Sequence, residues 1–399
     1  MKVGILSDSP TVTTGFGIIT NQIAHALAAR HEVVCFGIKA WRETFDRNVL
    51  PFRVWNGGLG GHWIQLFPRF LQIENIDVLL LNMDIFNMHE CLTYCIDAEL
   101  HSPIISYLTL DGVPVYRKYI DIQARAKLAL ATTQYGARYL EQCGLKIANI
   151  APPGVDMATF QPLSNREQLR RTAGLDNRFV VGVFGRNTER KQQVRVLLAL
   201  ATLRRQNPDN DVLVYFHCQP KGYWDLEELA AELDVADCVL FPSGRLFDET
   251  AGVPYMANHP ARLEVMSASA GPRMPQEYSY VERMNCCDLI VNASHCGGFE
   301  RAIIESQACG IPIAGTDDKG TMTEVLGNGG ILLEAIDVSF WKAGQRQYLI
   351  SIPDTVQAIR EVYNQPGLHA QLREAGFENA RKYPWEKMCE VMVATVARL

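Results

Sequence analysis

Two doubly wound α/β domains in tandem are the fold class this chain predicts, and three observations predict it. Short apolar stretches alternate with amphipathic helical ones along nearly the whole chain, the pattern of a parallel sheet covered on both faces. A cluster of prolines and glycine near the middle, Ala151-Pro152-Pro153-Gly154-Val155-Asp156, interrupts that pattern, which then restarts. The length of 399 residues, 48% of them hydrophobic, suits two well-buried cores at roughly 100–200 residues per domain.

In order, Lys2 to Leu6 reads as a first strand, followed by a Ser/Thr/Pro/Gly-rich turn. A helix with Ile18, Ile19, Ile23, Leu27 and Ala28 at helical spacing comes next, then a strand from His31 to Phe36. Thr14-Gly15-Phe16-Gly17 sits at that helix start, where a phosphate or sugar can approach. It is not a dinucleotide fingerprint, because the third glycine is replaced by Thr20. Strands are expected at Asp77–Leu81, Pro103–Leu108, Leu128–Thr132 and Lys146–Ile150. Asn56 to Gly61 reads as a flexible loop without the lysine of a Walker motif. Asp111, just beyond a strand's carboxyl end, is read either as a turn residue or as a group facing a cleft. The expected division is a first domain over 1–155, a linker over 156–177 and a second domain over 178–384.

Beyond the linker the spacing predicts strand Phe179–Phe184, helix Gln192–Arg205, strand Asp211–Phe216, helix Leu226–Leu233 and strand Cys238–Phe241. Residues Gly244 to Pro275 are less periodic and read as an insertion, a common carrier of specificity. Strand Leu289–Val291 leads through Gly297 and Gly298 into a helix over about Glu300 to Cys309, stopped by Gly310 and Pro312. Strands Pro312–Ala314 and Gly330–Leu333 complete the second sheet, and the remainder reads as helical, ending in an amphipathic helix over 385–399.

The net charge of −6 argues against coating nucleic acid by charge alone. Yet residues 166–205 hold ten Lys/Arg against three Asp/Glu, a local +7 that leaves −13 for the rest. That stretch is either a solvated helix face or an electropositive wall toward a polyanion. No run of about 18 apolar residues occurs, and the chain opens on the strand-like MKVGILSD, so a soluble, cytoplasmic protein is expected. Eleven cysteines with no CxxC pair read as reduced thiols. His89, Cys91 and Cys95, like His217-Cys218 and His295-Cys296, lack a second ligand pair at zinc spacing. Asp209-Asn210-Asp211 follows Asn207-Pro208 and reads as a turn. No metal and no cofactor are expected.

Two loops carry the chemistry. Gly297 and Gly298 before a helix let backbone approach an anion, and the free N–H groups of the helix start favour it. Gly185 to Lys191, GRNTERK, leaves the first strand of the second domain at the sheet's carboxyl edge. Arg186 supplies a planar fork and Lys191 a mobile point charge, a pair suited to adjacent phosphates. Together these loops predict diphosphate binding.

With these residues in place, the chain resembles the retaining GT-B glycosyltransferases of the GT4 family. Their G-R-x4-K loop is matched by Gly185, Arg186 and Lys191. Their linker motif N-G-V-D-x3-F-x-P is matched by Gly154, Val155, Asp156, Phe160 and Pro162, with Pro153 in place of Asn. Their E-G-F-G-x4-E-A-x-A-x-G-x-P is matched by Gly298, Phe299, Glu305, Ala308, Gly310 and Pro312. A later G-G-x2-E turn is echoed by Gly320 and Glu324, with Thr321 as the second residue, and a terminal helix from Trp385 resembles the one that crosses back to the first domain.

The resemblance implies a GT-B fold whose two Rossmann-like domains face a central cleft, and transfer of a sugar, with retained configuration, from a nucleotide-diphosphate sugar to a hydroxyl acceptor. It implies that Arg186 and Lys191 hold the diphosphate and that Glu305 accepts the ribose hydroxyls. Backbone near Gly185, Gly298 and Phe299 would lie beside phosphate and sugar, Gly15, Phe16 and Gly17 would close from the first domain, and the base would lie near Leu240–Gly244. Asp111 is the candidate for positioning the acceptor. The donor sugar is expected to be a UDP-sugar.

One exchange departs from the family. Its first motif glutamate falls on Gly297, and the glycine three residues later is Glu300. Glu300, five residues before Glu305, points about 140° away from it around an ideal helix. It is either a first-turn acid favoured by the helix dipole or a donor-binding group. Two further readings stay open: a nucleic-acid acceptor, from the local +7, and a nucleotide-sugar-binding protein without turnover, from Gly297.

Overall fold

The computed structural model describes residues 1–39, 50–58, 63–243, 273–341 and 343–399. The first half runs β1 (Lys2–Asp8), α1 (Gly15–Ala28), β2 (Glu32–Ile38), β3 (Arg53–Asn56), α2 (Trp63–Glu74), β4 (Val78–Asp84) and α3 (Ile85–Asp97). It continues with β5 (Ile104–Thr109), α4 (Arg117–Asp121), β6 (Leu128–Ala131), α5 (Gln134–Gln142) and β7 (Ile147–Ile150). Its seven strands form one sheet in the order β3-β2-β1-β4-β5-β6-β7, and every pairing is parallel. Strands such as β4, VLLLNMD, are buried from Val78 to Met83 because helices cover both faces.

The second half begins with α6 (Arg166–Thr172), β8 (Phe179–Phe184), α7 (Gln193–Gln206), β9 (Val212–His217), α8 (Leu226–Glu232), β10 (Val239–Pro242) and β11 (Arg273–Met274). Next come α9 (Tyr280–Asn285), β12 (Leu289–Asn292), α10 (Arg301–Ala308), β13 (Ile313–Thr316), α11 (Thr321–Leu326) and β14 (Gly330–Leu333). These strands make a second parallel sheet, β11-β10-β9-β8-β12-β13-β14. β15 (Ala335–Phe340) and β16 (Arg346–Ile350) form an antiparallel hairpin, and α12 (Ile352–Asn364), α13 (Pro366–Ala380) and α14 (Trp385–Val396) close the chain.

Beyond the edge strands β3 and β11, which the expectation lacks, two features differ from it. The segment after Leu333 was expected to turn helical, but the hairpin comes first and reaches the other domain: Tyr116 N–H donates to Ala343 O at 2.9 Å and Arg346 N–H to Val113 O at 3.2 Å. Residues 156–177 include α6, and its Leu169, with Leu175 beyond it, joins the second domain's core. Arg166 and Arg170 fasten α6 there through Asp288, at 2.6 and 3.1 Å.

The chain crosses between the sheets twice, and the crossings touch. Val155 N–H donates to Tyr383 O at 2.8 Å and bridges to Pro384. A Cβ on Gly154 would lie 2.4 Å from Trp385 N, so only glycine lets the two segments pass. α14 then lies on the first domain, where Trp385, Met388, Met392 and Val396 complete one face of its core with Val3, Ile5 and Ile23. Burying such side chains is worth about 1.5–3 kcal/mol each, enough to hold the returning helix. No helix among the described residues is long and apolar enough to cross a membrane.

Candidate functional site

In open α/β sheets, ligands sit beyond the carboxyl ends of the strands where strand order reverses. The reversal lies between β1 and β4 in the first sheet and between β8 and β12 in the second. The chain's chemistry-bearing loops follow these strands, and the two domains bring them together.

From the second sheet, β8 delivers the loop 185–192. Gly185 has φ +155°, a backbone conformation that favours glycine, and a Cβ there would press on Lys191 Cδ at 3.2 Å. Asn187 pins the loop by donating to Trp224 O at 2.8 Å and accepting from Trp224 N–H at 3.1 Å. A short 3-10 turn over Glu189–Lys191 and left-handed Gln192 (φ 50°) then swing into α7. The buried Gln192 amide donates to Tyr348 O at 2.8 Å, tying this turn to the hairpin.

From β12 comes the loop 293–300. Glu300 is the N-cap residue of α10 by backbone position, with φ −80° and ψ 94°, but its side chain makes no capping hydrogen bond. It points instead at the β8 loop, accepting from Lys191 Nζ at 2.5 Å and from Arg190 Nη1 at 2.6 Å. Arg190 Nη1 also donates to Cys296 O at 2.6 Å, and Lys191 Nζ to Ser294 Oγ at 3.1 Å. Burial alone raises the Glu300 pKa, but the Lys191 and Arg190 charges override it and hold the carboxyl at about 2. Burial lowers the Lys191 pKa more than Glu300 restores it, with Arg190 adding to the fall. Glu300 and Arg190 are therefore the firm charges of the trio, and Lys191 is the one whose charge burial disfavours.

The first domain contributes carboxylates. Asp111 Oδ1 accepts from Gly298 N–H at 2.8 Å, so Asp111 faces the cleft and occupies the backbone donor of the glycine turn. A Cβ on Gly298 would lie 2.3 Å from Thr109 Cγ2, which makes glycine a condition of this approach. Asp84, at the end of β4, is pushed up to about 7 by burial first and then by the like charges of Asp111 and Asp8. Asp8 pairs with Lys39 at 2.8 Å. Thr14 caps α1 by accepting from Gly17 N–H at 3.1 Å, and Gly17 packs too tightly on Val12 O for any Cβ. Gly15 has open space where its Cβ would be.

The remaining expected residues fall around this centre. Glu305 is buried inside α10, accepting from Tyr280 OH at 3.1 Å and from Arg301. Phe299 packs edge-on against Tyr383, centroids 5.5 Å apart. Thr321 Oγ1 donates to Gly297 O at 2.6 Å, and Glu324 accepts Gln134 N–H at 2.8 Å and Tyr135 N–H at 2.6 Å, capping α5 of the other domain. Arg186 lies on the same loop as Lys191 with an exposed side chain. Gly244 and most of the 244–275 insertion lie outside the described residues.

Arg190, Asp8 and Asp84 were not singled out in the sequence. Arg190 stood in a charge run beside Lys191, the one local signal that could have found it. Asp8 and Asp84 each end a buried strand. The local +7 does not form an open basic wall: Arg166 and Arg170 bind Asp288, Arg204 binds Asp237 at 2.8 Å, and Arg190 and Lys191 bind Glu300. Among the described residues, no group of three or more His, Cys, Asp or Glu is placed to hold a metal ion.

No protein-family model matches the chain. Curated relatives are GT4-type glycosyltransferases at low identity. A D-inositol 3-phosphate glycosyltransferase of Corynebacterium jeikeium is 25% identical over 252 residues, 61% of this chain and 50% of the relative. A GDP-mannose-dependent alpha-(1-6)-phosphatidylinositol monomannoside mannosyltransferase of Mycolicibacterium smegmatis is 30% identical over 190 residues, 47% of this chain and 43% of the relative. The chain thus spans about half the length of the curated relatives it matches. Among solved structures, Anabaena HepE in complex with UDP and glucose superposes with a TM-score of 0.71 at 18% identity, covering all of both chains. Sucrose-phosphate synthase from Thermosynechococcus elongatus gives 0.73 at 15%, covering all of this chain and 98% of the other. The fold is therefore GT-B, two Rossmann-like domains facing a cleft.

Proposed function

We propose that this chain is a retaining glycosyltransferase that moves a sugar from a nucleotide-diphosphate sugar, a UDP-sugar in the first instance, to a hydroxyl acceptor in the cytoplasm. The observation that carries the reading is the convergence of two cations, Arg190 and Lys191, with the Gly298 turn at the strand-order reversal of the second domain. Cations there stabilise the charge that develops on the leaving diphosphate, and preorganised charges in a site shielded from water are worth far more than in bulk. Arg186, on the same loop, would join them on the donor, and Glu305, beside Tyr280, would take the ribose hydroxyls. As the donor bond breaks, a phosphate oxygen takes the proton of the acceptor hydroxyl on the same face. Asp111 would orient that hydroxyl from the first domain, next to Asp84. The cross-domain contacts of Asp111 and Glu324 support a closed cleft that excludes water.

A nucleic-acid acceptor is not favoured, because half of the ten cations in the basic stretch that motivated it are held in ion pairs within the chain. Incubation with a panel of UDP-, GDP- and ADP-sugars and a range of hydroxyl acceptors, reading release of the nucleoside diphosphate, tests the reading. Turnover with one donor class is expected. Donor binding with no release under any acceptor would leave a nucleotide-sugar-binding protein, and no binding of any donor would overturn the reading.

A further inference from the structure

We propose that Glu300 is a resident anion that occupies the phosphate-binding position of the second domain and must be displaced by the donor's diphosphate, so that it sets how tightly donors bind. The inference rests on the donor-site reading above. Three observations carry it. First, the two adjacent cations of the β8 loop, Arg190 and Lys191, are both engaged by the Glu300 carboxylate, one on each oxygen, at 2.6 and 2.5 Å. A carboxylate bridging two cations has the geometry that a bridging phosphate would take in its place.

Second, Glu300 does no capping work for the helix it precedes, and what it stabilises is the pair of cations themselves. It stands where the N-cap of α10 should be, yet its side chain caps nothing, and its side-chain hydrogen bonds among the described residues run to the two cations. Its extended backbone lies outside the helix, so the side chain can change rotamer without breaking an α10 hydrogen bond.

Third, the space is made by the neighbouring glycine. A Cβ built on Gly297 would lie 2.5 Å from both Glu300 Cγ and Glu300 Oε1. With the Glu300 side chain in this position, residue 297 has room only for glycine, and this sequence has glycine there. Across the cleft Asp111 does the same on the Gly298 N–H, a second protein carboxylate on a donor suited to a ligand anion.

Displacement makes affinity for a diphosphate lower than the cations alone would give, because every bound phosphate competes with a covalently tethered carboxylate.

Two variants test this by different routes. Glu300→Gln removes the charge and keeps the shape, whereas Gly297→Ala keeps the charge and pushes the flexible Glu300 side chain off the cations. Binding of inorganic diphosphate and of UDP to the full chain is measured by calorimetry, and their shift of the melting temperature keeps the comparison readable if a variant is less stable. Both variants are expected to bind both ligands roughly tenfold or more tightly than the natural chain, as removal of a close counter-charge in a low-dielectric site predicts. Unchanged or weaker binding in either variant overturns the proposal while leaving the donor site standing. Failure of either ligand to bind the natural chain and both variants overturns the donor-site reading along with it.

Discussion

The acid limb of stability should carry the signature of Glu300. Its carboxyl falls from an ordinary 4.5 to about 2 in the folded chain, driven against burial by Lys191 and Arg190. The gap is worth roughly 3 kcal/mol in favour of the charged form. With side-chain exposure of 11% for Glu300 and 14% for Lys191, solvent screening takes little from it. Because the folded-state pKa lies below the unfolded one, this stabilisation is complete above about pH 4.5 and is lost as pH falls through about 2; roughly 2 kcal/mol is already gone by pH 3. Glu300→Gln cannot titrate, and the other carboxylates are common to both proteins and cancel in the difference. Urea unfolding of the natural chain and of Glu300→Gln at pH 6, 4 and 3 should therefore show the natural chain's advantage shrinking by about 2 kcal/mol across the series. A difference that stays constant from pH 6 to pH 3 would refute the pairing of Glu300 with the two cations in solution.

If the proposed donor site is right, Lys191→Ala removes one of its cations and should weaken UDP binding by about tenfold or more, read by calorimetry; unchanged affinity would remove Lys191 from the proposed donor site. Gly154→Ala puts a methyl group 2.4 Å from Trp385 N and 2.6 Å from Trp385 Cα, backbone atoms that cannot swing aside. The cost should be about 1–3 kcal/mol in denaturant unfolding, with α14 loosened from the first domain in hydrogen exchange. Glu324→Ala strips Gln134 and Tyr135 N–H of their acceptor across the cleft. It should cost about 1 kcal/mol, the usual worth of a helix cap, and increase the radius of gyration in X-ray scattering as the cleft opens; an unchanged radius would show that the other cross-domain contacts suffice.

Much of the fold was legible because parallel strands buried on both faces write themselves as apolar runs. Phe179–Phe184 and Gly330–Leu333 form strands over the very residues read from the sequence, and most others shift by a residue or two. The hairpin of β15 and β16 was not legible, since its residues mix exposed Ile336 and Phe340 with buried Ile350 and lack the continuous apolar run of the sheet strands. In the site, Gly17, Gly185 and Gly298 could be read because a close approach or a glycine-favouring φ demands each, whereas Gly15 has open space around it. Arg190 could not be separated from its charged neighbours, because its direction depends on a left-handed residue at Gln192 and on where α10 begins 110 residues later.

The sequence by itself determined that two doubly wound domains would form, that Gly185 to Lys191 and Gly297 to Glu305 would lie at strand ends, and that an anion would suit them. Local periodicity and turn chemistry suffice for that. Only the tertiary structure decided what meets what. It placed Asp111 on the Gly298 N–H and Glu324 on the start of α5, and it set Glu300 between Arg190 and Lys191. Those pairings join residues far apart in the chain, and their energies exist only when the two domains and the strand-end loops pack and exclude water from the charges.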